Sequence, residues 1–184
     1  MPNQSIRECD RCVAIAKSGS RCRNRTCKGR KCWIHTKRDE GLRIKPSQIP
    51  NSGAGLYATK RFAKGEKIAD YTGEKLTRAQ VGNLWGNETA EYVLCRSDRE
   101  CFDGSKTNSS FARFSNDARG SQFTNNAKFT PGAHNRFPIL RASRVITADT
   151  EIFTRYAGDY WKNTSWVSIP RCLVFLNILK DYQL

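Results

Sequence analysis

Phe111-Ala-Arg-Phe-Ser-Asn-Asp-Ala118 decides how this chain is read. Polar and aromatic residues follow one another in it with no period of two or of 3.6, so it is neither an amphipathic strand nor an amphipathic helix. Arg113–Asp117 brings a guanidinium, an amide and a carboxylate into one short polar loop. Three other stretches, met in order, give that loop a role: Gly53-Ala-Gly-Leu-Tyr-Ala58, Asp70-Tyr-Thr-Gly-Glu74 and Glu151-Ile-Phe-Thr-Arg-Tyr156.

Upstream of the loop, Ser52-Gly-Ala-Gly55 reads as a turn, its glycines permitting positive φ and close approach of a ligand to the backbone. It lacks the third glycine and the following helix of a dinucleotide fingerprint. Leu56–Ala58, a turn at Lys64-Gly-Glu66, and Lys67–Tyr71 form a small antiparallel arrangement closed by Thr72-Gly73-Glu74. Thr77–Trp85 is a short helix with Thr77 as its N-cap. Glu91–Cys95 and Cys101–Asp103 are strands, Thr107–Ser110 is a polar loop, and Cys95 and Cys101 are core thiols. Downstream, Pro138–Ala142 and Ser143–Ile146 alternate as strands before a turn at Thr147–Thr150. The chain is mainly β.

Charge divides the sequence. Lys and Arg number 32 against 17 Asp and Glu, a net +15 that favours an acidic partner such as nucleic acid, nucleosome or anionic membrane. Residues 1–45 hold 13 Lys/Arg and 4 Asp/Glu, a net +9, and so form a separate unit. No apolar run approaches the ~18 residues that span a bilayer, so no membrane partner is expected. The start of the chain carries no secretory h-region. A reducing compartment, nuclear or cytoplasmic, follows, where clustered cysteines bind metal more often than they form disulfides.

Five of the eight cysteines and one of the two histidines fall in Cys9–His35. Zinc takes four such ligands, commonly as two close pairs. Cys32-x-x-His35 is one pair; the other half is Cys12 with Cys22, or Cys9 with Cys12. Turns at Lys17-Ser-Gly19 and Lys28-Gly29 separate them. So short and polar a segment folds only with help from a metal. The spacing Cys12-x9-Cys22-x9-Cys32-x2-His35 resembles small Cys3His zinc knuckles, which implies Cys12, Cys22, Cys32 and His35 as ligands of a structural zinc, with Cys9 and Cys27 spare. The interspersed basic residues of 7–45 are suited to phosphates, and Trp33 either stacks on a base or packs the module's core. Glu40–Asn51, with Pro46 and Pro50, is an extended connector.

Gly53–Ala58, the Phe62-Ala-Lys-Gly-Glu66 turn and Asp70–Glu74 resemble the opening of a SET domain, the catalytic domain of many protein-lysine methyltransferases. Arg113-Phe-Ser-Asn-Asp117 resembles that family's Arg-Phe-x-Asn-His motif, with Asp117 where His is usual. Glu151–Tyr156 resembles its Glu-Leu-x-x-Asp-Tyr motif, with Arg155 in place of Asp and Thr154 where relatives carry Phe or Tyr. The family's Cys-x-Pro-Asn segment is matched only approximately, at Thr124–Lys128. The resemblance implies a SET-type fold of several small β-sheets, with Glu151–Tyr156 threaded under the Arg113–Asp117 loop in a pseudoknot. It implies S-adenosylmethionine as cofactor, held by Gly53, Ala54, Gly55, Tyr92, Arg113, Asn116, Asp117 and Trp161. Tyr156 and Tyr92 stand at methyl transfer, and the substrate is a protein lysine, with a histone the class suggested by family analogy. The expected divisions are a zinc module at 1–42, the SET domain at 43–161 and a C-terminal segment at 162–184. With only Cys172 in that segment, a three-cysteine zinc site cannot form there, and Trp161, Trp166 or Cys172–Leu179 packs in its place. The altered motif residues also admit a non-catalytic chromatin or nucleic-acid binder, and a third reading is a methyltransferase of a non-histone protein.

Overall fold

The computed structural model describes residues 9–27, 29–86, 89–106, 109–132, 137–156 and, for the backbone alone, 171–174. The basic first unit holds two short antiparallel strands, β1 (Asp10–Arg11) and β2 (Arg25–Thr26), and a helix, α1 (Trp33–Glu40). No strong apolar period announces α1. Its limits are set by Cys32 at the N-cap and by Gly41, whose left-handed backbone (φ 68°) lets its N–H reach the Lys37 carbonyl at 3.2 Å. Lys37 and Arg38 in the last turn suit the helix dipole.

The connector is a strand. β3 (Leu42–Pro46) pairs antiparallel with β4 (Ala54–Ala58), in register from Leu42↔Ala58 to Pro46↔Ala54. The expected turn is therefore shorter than Ser52–Gly55. Gly53 is left-handed (φ 65°), but Gly55 already lies in β4 opposite Lys45. After the Lys64-Gly-Glu66 turn come β5 (Lys67–Asp70), β6 (Glu74–Leu76) and the helix α2 (Arg78–Trp85). α2 starts where expected, with a capping box: Thr77 Oγ1 accepts from Gln80 N–H at 3.2 Å and Gln80 returns a bond at 2.7 Å. β7 (Thr89–Ser97) and β8 (Glu100–Asp103) follow.

Ala127-Lys-Phe-Thr130 is an unforeseen strand, β9, with Ala127 and Phe129 buried. It pairs with β10 (Ile139–Ala142), which also pairs with β5, so β10 is the middle of a three-stranded sheet. Ser143–Ile146, expected as a strand, makes only an isolated bridge from Ile146 to Phe62. The backbone of β11 (Arg171–Val174) runs parallel to β7, opposing Leu173 to Leu94, in a sheet ordered β11-β7-β8-β6.

Leu42, Leu56, Phe62, Tyr71, Leu94, Phe102, Phe111, Leu140 and Ile152 meet in one buried cluster that draws on all three larger sheets. A satellite under α2 contains Val81, Val93, Cys95 and Cys101. Cys95 and Cys101 stand opposite each other across β7 and β8 and are joined as a disulfide, not left as thiols. Cys9 and Cys27, expected to be spare, are likewise joined. Among the described residues no helix is long and apolar enough to cross a membrane.

Candidate functional site

The first unit's core consists of Cys12, Ala14, Cys22 and Cys32. Around it Cys12, Cys22, Cys32 and His35, all buried, place their ligand atoms within 4.8 Å of one another. Nδ1 of His35 lies 3.5 Å from Cys12 Sγ and 3.3 Å from Cys32 Sγ, spacings that suit the edges of a tetrahedral metal site. Burial opposes ionisation of Cys32, but hydrogen bonds from the His35 backbone N–H and the Asn24 side chain outweigh it and bring the thiol down to about 6. A thiolate is the form a metal needs. The cluster is therefore able to hold a metal ion. Trp33 takes no part in this core; it is 72% exposed.

The second cluster of candidate residues is where two distant segments meet. Residues 115–117 each take one bond from residues 154–156. The Ser115 carbonyl accepts from Tyr156 Oη at 3.1 Å, the Asn116 carbonyl from Thr154 N–H at 2.8 Å, and Asp117 Oδ2 from Tyr156 N–H at 2.9 Å. Asn116 also donates from Nδ2 to the Ala54 carbonyl at 3.1 Å, which draws the start of β4 to the same place. Gly53–Gly55, Asn116–Asp117 and Tyr156 are thus brought together, as the sequence motifs require.

Arg113 serves this loop from within. Its Nη1 donates to the carbonyls of Gly104, Ser105 and Lys106, while its buried Nε has no partner among the described residues. Burial lowers the pKa of the guanidinium, which lies 4.7 Å from the Phe114 ring and 5.6 Å from that of Tyr92. Tyr92 is half-buried in β7, and its carbonyl accepts from the fully buried Tyr71 hydroxyl at 2.7 Å. The pKa of Tyr71 is pushed well up by burial. Trp161 lies outside the described residues.

Two residues that motif matching left without a role hold the crossing in place. Asn126 donates from its side chain to the Glu151 carbonyl at 2.8 Å and accepts from Phe153 N–H at 2.9 Å. Glu151 is a buried hub: its carboxylate accepts from Ser47 Oγ at 2.7 Å, Gln48 N–H at 2.7 Å and Tyr57 Oη at 2.9 Å. At Gly55 the approaching group is this carboxylate, not a ligand; a Cβ there would overlap Glu151 Oε1. An acid beside the apolar pair Ile152-Phe153 was the available signal for Glu151, and the Asn125-Asn126 pair the signal for Asn126.

The comparisons agree with this geometry. The family model described as the SET domain matches residues 53–157, more than half of the chain. A chain in the crystal structure of an active polycomb repressive complex 2 in the stimulated state has 18% sequence identity and a TM-score of 0.62. A chain in the structure of ctPRC2 in complex with H3K27me3 and H3K27M has 19% identity and a TM-score of 0.59. Each likeness covers 85% of this chain, but only 19% and 18% of those longer chains. The methyltransferase domain of human PR domain-containing protein 2 has 23% identity and a TM-score of 0.49, with 73% of this chain and 88% of that one covered. No curated protein matches the sequence. The matched residues run from Gly53 to just past Tyr156 and take in the whole crossing, and the chain belongs to the SET-domain family.

Proposed function

We propose that this chain transfers a methyl group from S-adenosylmethionine to a lysine side chain of a protein, with a histone as the substrate class. The observation that carries this is the meeting of Gly53–Gly55, Asn116–Asp117 and Tyr156 at one crossing. The buried Thr154 Oγ1 there has no hydrogen-bond partner among the described residues, and a hydroxyl can accept from the cofactor's ammonium or hydroxyl groups. When bound, S-adenosylmethionine supplies an electrophilic methyl. The chain's own part is alignment and exclusion of water. The Tyr156 hydroxyl donates to the Ser115 carbonyl, which fixes the position of its oxygen for an incoming amine. Burial beside Tyr92 and Tyr156 lowers a lysine's pKa, and the proton leaves to water.

The proposed divisions are the metal module at 1–42, the SET domain at 43–161 and a C-terminal segment at 162–184, and zinc is the metal proposed for Cys12, Cys22, Cys32 and His35. In a test with labelled S-adenosylmethionine and histones, nucleosomes or lysate, Tyr156→Phe lowers transfer about 100-fold or more. Absence of both cofactor binding and transfer in the parent overturns the enzyme reading; transfer to nucleic acid overturns the lysine assignment.

A second reading, a chromatin or nucleic-acid contact through basic residues 7–45, is favoured by the exposure of Trp33. An exposed aromatic ring among cations is a stacking platform for a single strand. Affinity for single-stranded DNA or RNA then falls steeply with salt and drops again in Trp33→Ala. Binding that salt does not weaken excludes it. A nuclear location accompanies either reading.

A further inference from the structure

We propose that Asp117 is a positioning residue that fixes the backbone of Tyr156, a task distinct from binding the cofactor. The inference rests on Tyr156 standing at the transfer site. Asp117 is buried, and its carboxylate accepts three N–H groups: Tyr156 N–H on Oδ2 at 2.9 Å, and Arg119 N–H at 2.9 Å and Asn125 Nδ2 at 3.0 Å on Oδ1. A carboxylate offers about four acceptor sites, and these three bonds engage both of its oxygens within the chain. Asn125 in turn accepts from Ala118 N–H at 2.9 Å, which closes a small ring of bonds around the carboxylate.

Tyr156 is consequently held at both ends by one loop. Asp117 holds its N–H and Ser115 holds its hydroxyl, only two residues away. Rotation or sliding of the tyrosine relative to the loop breaks one bond or the other. The three groups that bond to it, the Tyr156 and Arg119 N–H and Asn125 Nδ2, are all donors, so an acceptor-only side chain suits them. An asparagine turns an NH2 toward one of the three N–H groups; an imidazole has one acceptor nitrogen at most. Asp at this position is therefore matched to its surroundings in this chain.

The test compares Asp117→Asn with Asn125→Ala. The second removes a partner of Oδ1 and leaves the Oδ2 bond to Tyr156. Hydrogen exchange of the Tyr156 amide, read in the absence of any substrate, accelerates at least about 10-fold in Asp117→Asn and stays near the parent rate in Asn125→Ala. In methyl transfer, Asp117→Asn lowers kcat about 10- to 100-fold, while the dissociation constant for S-adenosylmethionine changes less than about threefold. A cofactor affinity that falls in step with kcat overturns the proposal, as does a Tyr156 amide equally protected in parent and Asp117→Asn. Since the exchange measurement needs no activity, a parent that neither binds S-adenosylmethionine nor transfers a methyl refutes the proposed function and leaves the Asp117–Tyr156 link decided on its own data.

Discussion

Glu151→Ala lowers the unfolding free energy by about 3 kcal/mol or more. Glu151 is 1% exposed, and its removal takes the acceptor from Ser47 Oγ and Gln48 N–H, while Tyr57 Oη keeps the Pro46 carbonyl at 2.9 Å. Each stranded donor costs about 1–3 kcal/mol before the protein relaxes. Glu151→Gln, with one acceptor oxygen in the same shape, loses less. Gly55→Ala is damaging for a related reason: its methyl has to share the space of Glu151 Oε1, 2.8 Å from the carboxyl carbon and 3.1 Å from the Ser47 Cα. The two effects are coupled. In the double variant the methyl enters room the carboxylate has left, so its loss is smaller than the sum of the single losses. Urea denaturation of the four chains measures this, and strict additivity would show that the two residues do not meet. The same hub makes the fold sensitive to alkali. Burial, and then the Glu151 carboxylate, push Tyr57 up to about 12 from 10.0. The folded chain thus holds that proton more tightly than the unfolded one. Its contribution is full below pH 10 and is lost as the pH rises through 12.

Removal of the proposed zinc has the other large effect. A core of three cysteines and an alanine cannot offset the chain entropy of the first unit. Structural zinc in comparable modules contributes about 10 kcal/mol or more at neutral pH. Purified protein is expected to carry one zinc per chain. A strong chelator is expected to unfold α1 and abolish protection of the amides around Cys12–His35, with β4–β10 retaining theirs. Cys32→Ser lowers zinc occupancy, whereas Cys9→Ser with Cys27→Ser leaves it intact, because that pair lies outside the ligand set. Full zinc occupancy in Cys32→Ser would exclude this ligand set.

Much of this was legible before any coordinates, because each legible feature is a local pattern. Thr77 and Gln80 three residues apart announce a capping box, and the helix begins there. Spacing marks Cys32 and His35 as one candidate metal-binding pair, and the resemblance to Cys3His knuckles adds Cys12 and Cys22, the four that the fold gathers. The SET-type fold follows from the resemblance of four short motifs, in order, to those of that family. What stayed hidden depends on partners far away in sequence. α1 is bounded by Cys32 of the candidate metal cluster at its start and by Gly41 at its end, and no strong apolar period marks it. β9 is short, and only its pairing with β10 makes it a strand. The Cys95–Cys101 link depends on register, which neither cysteine reveals alone. Gly55 reads as a ligand-facing glycine until Glu151, ninety-six residues later, is seen to fill the space beside it. Asn116, Asp117 and Tyr156 were all visible as candidates, but that Asp117 grips the backbone of Tyr156 is a fact of the fold.

The bonds between residues 115–117 and 154–156 also set an order of events during synthesis. The ladders of β3 with β4 and of β5, β10 and β9 need nothing beyond Ala142. They can form while the ribosome is still at work. The crossing needs residues 154–156 as well, and the Glu151 hub reaches back 104 residues to Ser47. Closure over such spans is slow compared with hairpin formation. A nascent chain therefore holds the β3–β4 and β5–β10–β9 ladders before it holds its site, and a product terminated at Ala142 lacks both Glu151 and Tyr156.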